Sequence, residues 1–245
     1  MNNKTKKYIE WIPLIVSLVT AFGVLLVYSI ITVDRVEKVY SQVLFSCLVP
    51  AIVPILGRIN KRPYPLFFNI MITSHVIMAV HLGTGLGFYE LIPFWDLIMH
   101  GYFGFVSSMI AYVLLIRCNG DMLTKTAFFI IIFLSTMGCA ALWEIYEFAS
   151  DFLFRNDSQK VLELLSLGKN PILDTMTDII IAAAGVVAFY VFFIIDKKRG
   201  FVFTHKVYEH RKITSKVKPV KNKTFILDVS NAVDDEDFEQ NLYET

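Results

Sequence analysis

The chain has 245 residues, of which 55% are hydrophobic and 18% charged, and its formal net charge is +1. A mean hydropathy of +0.55 excludes an ordinary soluble domain and points to the lipid bilayer; no nucleic-acid partner is expected of so apolar a chain. Three cysteines, Cys47, Cys118 and Cys139, show neither a disulfide framework nor metal-thiolate spacing and read as small apolar fillers.

A spanning helix needs about 20 apolar residues, because the hydrocarbon core is about 30 Å thick and each residue rises about 1.5 Å. Six stretches qualify: Trp11 to Thr32, Tyr40 to Gly57, Pro65 to Gly83, Trp95 to Ile116, Ala127 to Ser150 and Asp174 to Ile195. The expected fold is all-α, a polytopic bundle of six transmembrane helices over residues 1–195 with a charged cytoplasmic tail over residues 196–245.

The first stretch is too long for the core of a secretory signal and lacks a small-residue cleavage site, so it is read as a retained anchor. Pro50 and Pro54 are expected to kink the second helix. The third carries His75 near its middle and His81 near one end. The fourth opens on "WDLIMHGYFGF", with Asp96 and His100 in its first two turns. The fifth ends on "LWEIYEFASD", with Glu144, Glu147 and Asp151 in its last turns.

The connection "DFLFRNDSQKVLELLSLGKNPILD" is long enough to hold a short helix, capped by Asp157 or Ser158 and stopped by Gly168. The sixth stretch opens with Asp174 and Asp178. Beyond Ile195 the tail is basic as far as Lys223, whereas "DVSNAVDDEDFEQNLYET" holds acids and no base. It reads as a solvated, partly disordered segment, or as a basic strip held on anionic lipid.

Lys and Arg are retained on the cytoplasmic side. They collect at the N-terminal arm (Lys4, Lys6, Lys7), the second connection (Arg58, Lys61, Arg62), the fourth (Arg117, Lys125) and the exit "DKKRG". Both termini are therefore expected in the cytoplasm. The acids and histidines of the fourth, fifth and sixth helices then meet at the extracytoplasmic end.

Residues three or four apart share a helix face. Asp96 with His100, Glu144 with Glu147 and Asp151, and Asp174 with Asp178 each form one stripe. Each stripe continues as small residues: Gly104 and Ser108, Ala140 and Ala141, Ala182 and Gly185. Small residues let helices approach closely, so the acids are expected inside the bundle. Unit charges about 4 Å apart repel by about 4 kcal/mol even at an effective dielectric of 20. Shared protons, an imidazolium at His100 or a divalent cation would neutralise the group.

The candidate metal ligands are Asp96, His100, Glu144, Glu147, Asp174 and Asp178. His100, Glu144, Glu147 and Asp178, which lie deepest, are the candidates for chemistry. Asp96 follows Pro93 and Asp174 follows Pro171, so either is equally read as a helix N-cap, and Asp151 as a solvated interfacial acid.

The ordered segments "WDLIMHGYFGF", "LWEIYEFASD" and "GKNPILDTMTDIIIAAAGV" resemble the YjdF-like family of bacterial inner-membrane proteins and, more distantly, VanZ-like proteins. The resemblance covers about residues 65 to 195. It implies a multi-pass protein of a bacterial inner membrane without an assigned reaction, with the family's polar residues falling on Asp96, His100, Glu144, Glu147, Asp174 and Asp178. VanZ-like proteins are associated with teicoplanin resistance. This chain departs from the family pattern in the turn "LGKNPIL" before Asp174 and in its charged tail.

Three function classes stay open. The first is an enzyme whose bound cation acts on a lipid-linked envelope substrate. The second is a protein that binds such a lipid or precursor without turnover. The third is a proton- or cation-coupled transporter.

Overall fold

A computed structural model of the chain describes residues 8–31, 36–61, 63–118, 120–155 and 157–203. Lys4, Lys6, Lys7, Arg62 and the tail from residue 204 onwards lie outside the described residues. The described residues form helices and turns, and six helical stretches are long and apolar enough to cross a membrane. Phe22, Phe45, Leu142 and Phe152, which a soluble protein would bury, all stand exposed on the outside of the bundle. In lipid that arrangement costs nothing.

The first span is α1 (Ile12–Ile31). The second comprises α2 (Val36–Ser46) and α3 (Val49–Ile59), separated by a two-residue turn at Cys47 and Leu48 just before Pro50. Pro50 falls in the first turn of α3, where its missing N–H costs no hydrogen bond, and Pro54 lies inside that helix. The third span begins as α4 (Leu66–Val76) and continues as a π-helix over Ile77–Thr84, a widening of the turn that the apolar pattern does not announce. His81 lies in this π segment, wholly buried, with its Nδ1 2.9 Å from the Thr20 hydroxyl of α1.

A short α5 (Phe88–Leu91) leads into α6 (Trp95–Arg117), which is followed by α7 (Lys125–Phe154). The connection to the last span contains α8 (Val161–Ser166), and the last span is α9 (Pro171–Lys198). The short helix appears where the sequence places it. Asp157 caps it, its carboxylate accepting from the amides of Leu162 and Glu163 at 2.9 and 3.0 Å, and Gly168 ends it with a φ of 67°.

Helices α6, α7 and α9 pack mutually, and α6 against α9 is the most extensive contact among the described residues. Its cause is the small-residue stripe. A Cβ added at Gly104 would run into the Ala182 carbonyl, and one at Gly185 into the Gly101 carbonyl and the Phe105 amide. The two backbones therefore touch. Ser108 and Thr136 join α6 to α7, their hydroxyls 3.0 Å apart: one donates to the other, which in turn donates to the carbonyl four residues back in its own helix.

Towards the other end of this trio, Tyr112, Phe128, Ile132, Phe189 and Phe193 form an aromatic core. The Tyr190 hydroxyl donates to the Phe129 carbonyl at 2.6 Å. The trio is thus closed by rings at one end and by glycines in its middle. What remains is the end that carries the acids.

Candidate functional site

The trio brings Asp96, His100, Glu144 and Asp178 together. His100 is the hub: its Nε2 lies 3.6 Å from Asp96 Oδ1 and 3.7 Å from Asp178 Oδ2, and its Nδ1 lies 3.9 Å from Glu144 Oε1. All three separations exceed a hydrogen bond, so these groups converge without bonding one another. His100 is 8% exposed, Glu144 7% and Asp178 4%. Glu144 Oε1 and Asp178 Oδ1 are buried without a protein hydrogen-bond partner. Buried polar atoms are normally satisfied, and leaving a charged one unpaired costs several kcal/mol.

The N-cap readings of Asp96 and Asp174 do not hold. Phe94, in the left-handed region at φ 64°, stands at the cap of α6 with no side-chain hydrogen bond. At α9 the cap is Asn170, whose Oδ1 accepts from the Ile172 amide at 3.0 Å, and Asp174 sits within the first turn. Asp96 instead forms an ion pair: Lys160 Nζ lies 2.6 Å from its Oδ2.

The position of Lys160 is a feature that spacing along the spans does not reveal. The connection after α7 folds back over the site because acids and an amide fasten it there. Asp151, rather than being merely solvated, accepts from the amides of Ser158 and Gln159 at 2.6 and 3.0 Å. The Gln159 side chain donates to the Glu144 carbonyl at 3.3 Å. Lys160, which follows directly with a φ of 52°, is thereby aimed at Asp96. Burial disfavours its ammonium, but the attraction of Asp96, reinforced by Asp174 and Asp178, more than offsets this and holds its pKa above the ordinary lysine value. It is charged throughout the physiological range.

Asp151→Ala is expected to release this connection while leaving the spans intact. Loss of two bonds to a carboxylate should lower local stability by about 1.5 kcal/mol, and trypsin should cut at the exposed Arg155 roughly tenfold faster. Limited proteolysis compared with wild type measures this.

Glu147 and Asp174 stand apart from the histidine hub. Glu147 accepts from the Trp143 indole N–H at 2.9 Å and faces a cavity that also reaches Asp96, His100 and Lys160. Asp174 makes itself felt through its charge on Lys160. Tyr89 lines the same cavity; burial, with the negative charge of Asp96 and Glu147, pushes its phenol above the ordinary tyrosine pKa and keeps it a neutral donor. Among the described residues, Asp96, His100 and Asp178 form a group whose ligand atoms all lie within 4.8 Å of one another.

No solved structure matches this chain. A curated relative from Thermotoga maritima, itself named only as an uncharacterized protein, is 29% identical over 170 residues, covering 69% of this chain and 82% of that protein. The profile of one family, described as "Predicted membrane protein (DUF2238)", matches residues 14–199, a segment that contains all six spans except the first two residues of α1. This protein belongs to that family, as a multi-pass membrane protein with six apolar helices.

Proposed function

We propose that the protein binds a divalent cation at Asp96, His100 and Asp178, at the extracytoplasmic end of the bundle, and uses it to bind or act on a lipid-borne envelope substrate. The convergence of three ligand atoms that do not hydrogen-bond one another carries this reading. A tetrahedron of metal–ligand bonds about 2.1 Å long has edges of about 3.4 Å. The two edges from His100 Nε2, 3.6 and 3.7 Å, are close to this, and the edge between the two carboxylates is no longer than 4.8 Å. One imidazole with two carboxylates is a donor set that suits Zn²⁺, with an open position for water or substrate.

Glu144 Oε1 stands 3.9 Å from the other imidazole nitrogen, beyond a hydrogen bond, on the side where an outer carboxylate orients a metal-bound histidine. In this reading Glu144 positions His100, and Glu147 serves the neighbouring cavity. The YjdF-like resemblance rests on these same residues and supports their common purpose. Orientation is supported by Arg58, Lys61, Arg117, Lys125, Lys197 and Lys198, all at the end opposite the site. A reporter fused after α5 or within the connection before α9 tests the side. The relative in Thermotoga maritima supports a bacterial membrane.

Coupled transport draws on His75, whose Nδ1 is buried without a protein partner in the same cavity as His100. Continuation to the other end is poorly supported, because the buried Asp196 there accepts from the Phe203 amide at 3.0 Å and serves to hold the turn after α9.

The test is metal analysis of the purified protein after exposure to Zn²⁺, Mn²⁺ or Mg²⁺ and removal of excess. About one tightly held ion per chain is expected; no ion retained under any of the three conditions sinks the reading. Lys160→Met sharpens it. Lys160 is a rival cation on Asp96, so its removal should tighten metal binding by roughly tenfold. Affinity unchanged or weakened in this variant, measured by competition with a chelating dye, argues that no ion sits beside Asp96.

A further inference from the structure

The cavity beside the site holds about 1020 Å³, the upper end of the range for pockets that take small molecules (about 300–1,000 Å³). Its floor is formed by His75 and Ala79 of the third span and by His100 and Phe103 of α6. One wall is Gln42 and Phe45 of α2 with Val49 of α3; another is Trp143, Tyr146 and Glu147 of α7. Helix α7 packs on α6 and α9, while α2 packs on α1 and the π segment. Both helices therefore line one cleft, and Phe45 (77% exposed) and Tyr146 (59% exposed) leave it open at its sides. An acyl chain has a lateral way in.

Polar groups gather at one end. There, among the described residues, the cleft meets Glu90, Asp96, Glu147, Asp157 and Glu163, against the one ammonium of Lys160, which Asp96 already engages. The balance repels a purely anionic head and attracts a protonated amine. Aromatic faces reinforce the preference, since Tyr89, Trp143 and Tyr146 line the same end and cations are favoured over such rings. Tyr89 already takes one, with Lys160 Nζ 5.7 Å from its ring centre. The Trp143 indole holds one oxygen of Glu147, leaving the other for a ligand.

We infer that this cleft binds a membrane phospholipid whose head carries a protonated primary amine, its chains between α2 and α7 and its amine at Glu147. The inference names the lipid class for the site proposed above and rests on that end being the functional one. The amine selects by charge, and the apolar walls by the chain.

The probe is phosphatidylethanolamine set against phosphatidylglycerol with identical acyl chains, added to the purified full-length protein and counted as bound lipid by native mass spectrometry. Wild type should prefer phosphatidylethanolamine by at least fivefold. Glu147→Gln should reduce the preference to near parity, and Ala79→Phe, which fills the floor, should lower retention of both lipids in a protein that still elutes as a single folded species. Equal or stronger retention of phosphatidylglycerol by wild type overturns the inference, as does a preference unchanged by Glu147→Gln. Each measurement is repeated in chelator. An amine preference that survives there stands even if no metal is bound, whereas a metal-binding protein with no amine preference loses this inference and keeps the cation site.

Discussion

Gly185→Ala is expected to cost about 3 kcal/mol or more and to lower the midpoint of thermal unfolding by about 10 °C. The added Cβ would enter the Gly101 carbonyl and the Phe105 amide of α6. A flexible side chain in that place could swing aside, but these are backbone atoms within a hydrogen-bonded helix. The only relief is to move α9 away from α6. That motion also separates Asp178 from His100, which are 3.7 Å apart and borne on the same two helices. The variant should therefore lose metal retention along with stability.

Gly138→Ala supplies the control. It lies in the interior of α7, and a Cβ there meets nothing within 4 Å. The same substitution then brings only the helix-propensity gain of alanine over glycine, up to about 1 kcal/mol in water. Opposite signs at Gly185 and Gly138, read from unfolding midpoints in one detergent, would locate the effect in the α6–α9 contact. Equal effects at both positions would mean that the stripe does not set the packing.

Much of this arrangement was legible in the sequence because it follows from helical period and hydropathy. Six apolar stretches marked the spans, and the continuation of each acid stripe into small residues marked the faces that meet. Asp96, His100, Glu144 and Asp178 converge for that reason. Period alone was too coarse to separate Glu144 from Glu147. Three residues advance a helix by 300°, roughly 60° short of a full turn, enough to put Glu144 against the hub and Glu147 on the cavity.

Features that depend on the path of a connection were not legible. Lys160 meets Asp96 across 64 positions of sequence, and only the grip of Asp151 on the Ser158 and Gln159 amides directs it there. Likewise Asn170 displaced Asp174 from the cap of α9 because a side chain just before Pro171 reaches the Ile172 amide more directly than one inside the first turn. Local competition of this kind is decided by a few tenths of an ångström of reach. The π segment that carries His81 has no simple signature in composition or spacing.

Asp178→Asn is expected to lower metal affinity by at least about 100-fold, since it removes the charge of a direct ligand rather than an outer partner, whose loss alone costs 10- to 100-fold. Its effect on stability should depend on the ion in a way that separates a metal site from a structural carboxylate. In wild type, metal at about 100 times its Kd adds about 2.7 kcal/mol, so chelation should lower the unfolding midpoint by roughly 5–10 °C. The variant should show no such shift. In chelator the order reverses: Asp178 is 4% exposed with Oδ1 unpartnered, facing Asp96 and Glu144 around one histidine. Removing its charge relieves both desolvation and repulsion. Metal-free Asp178→Asn should thus unfold at or above the temperature of metal-free wild type. A carboxylate that merely packs the bundle predicts the contrary, a variant less stable than wild type by the same amount with and without metal, and that result would remove the ion from the account of this site.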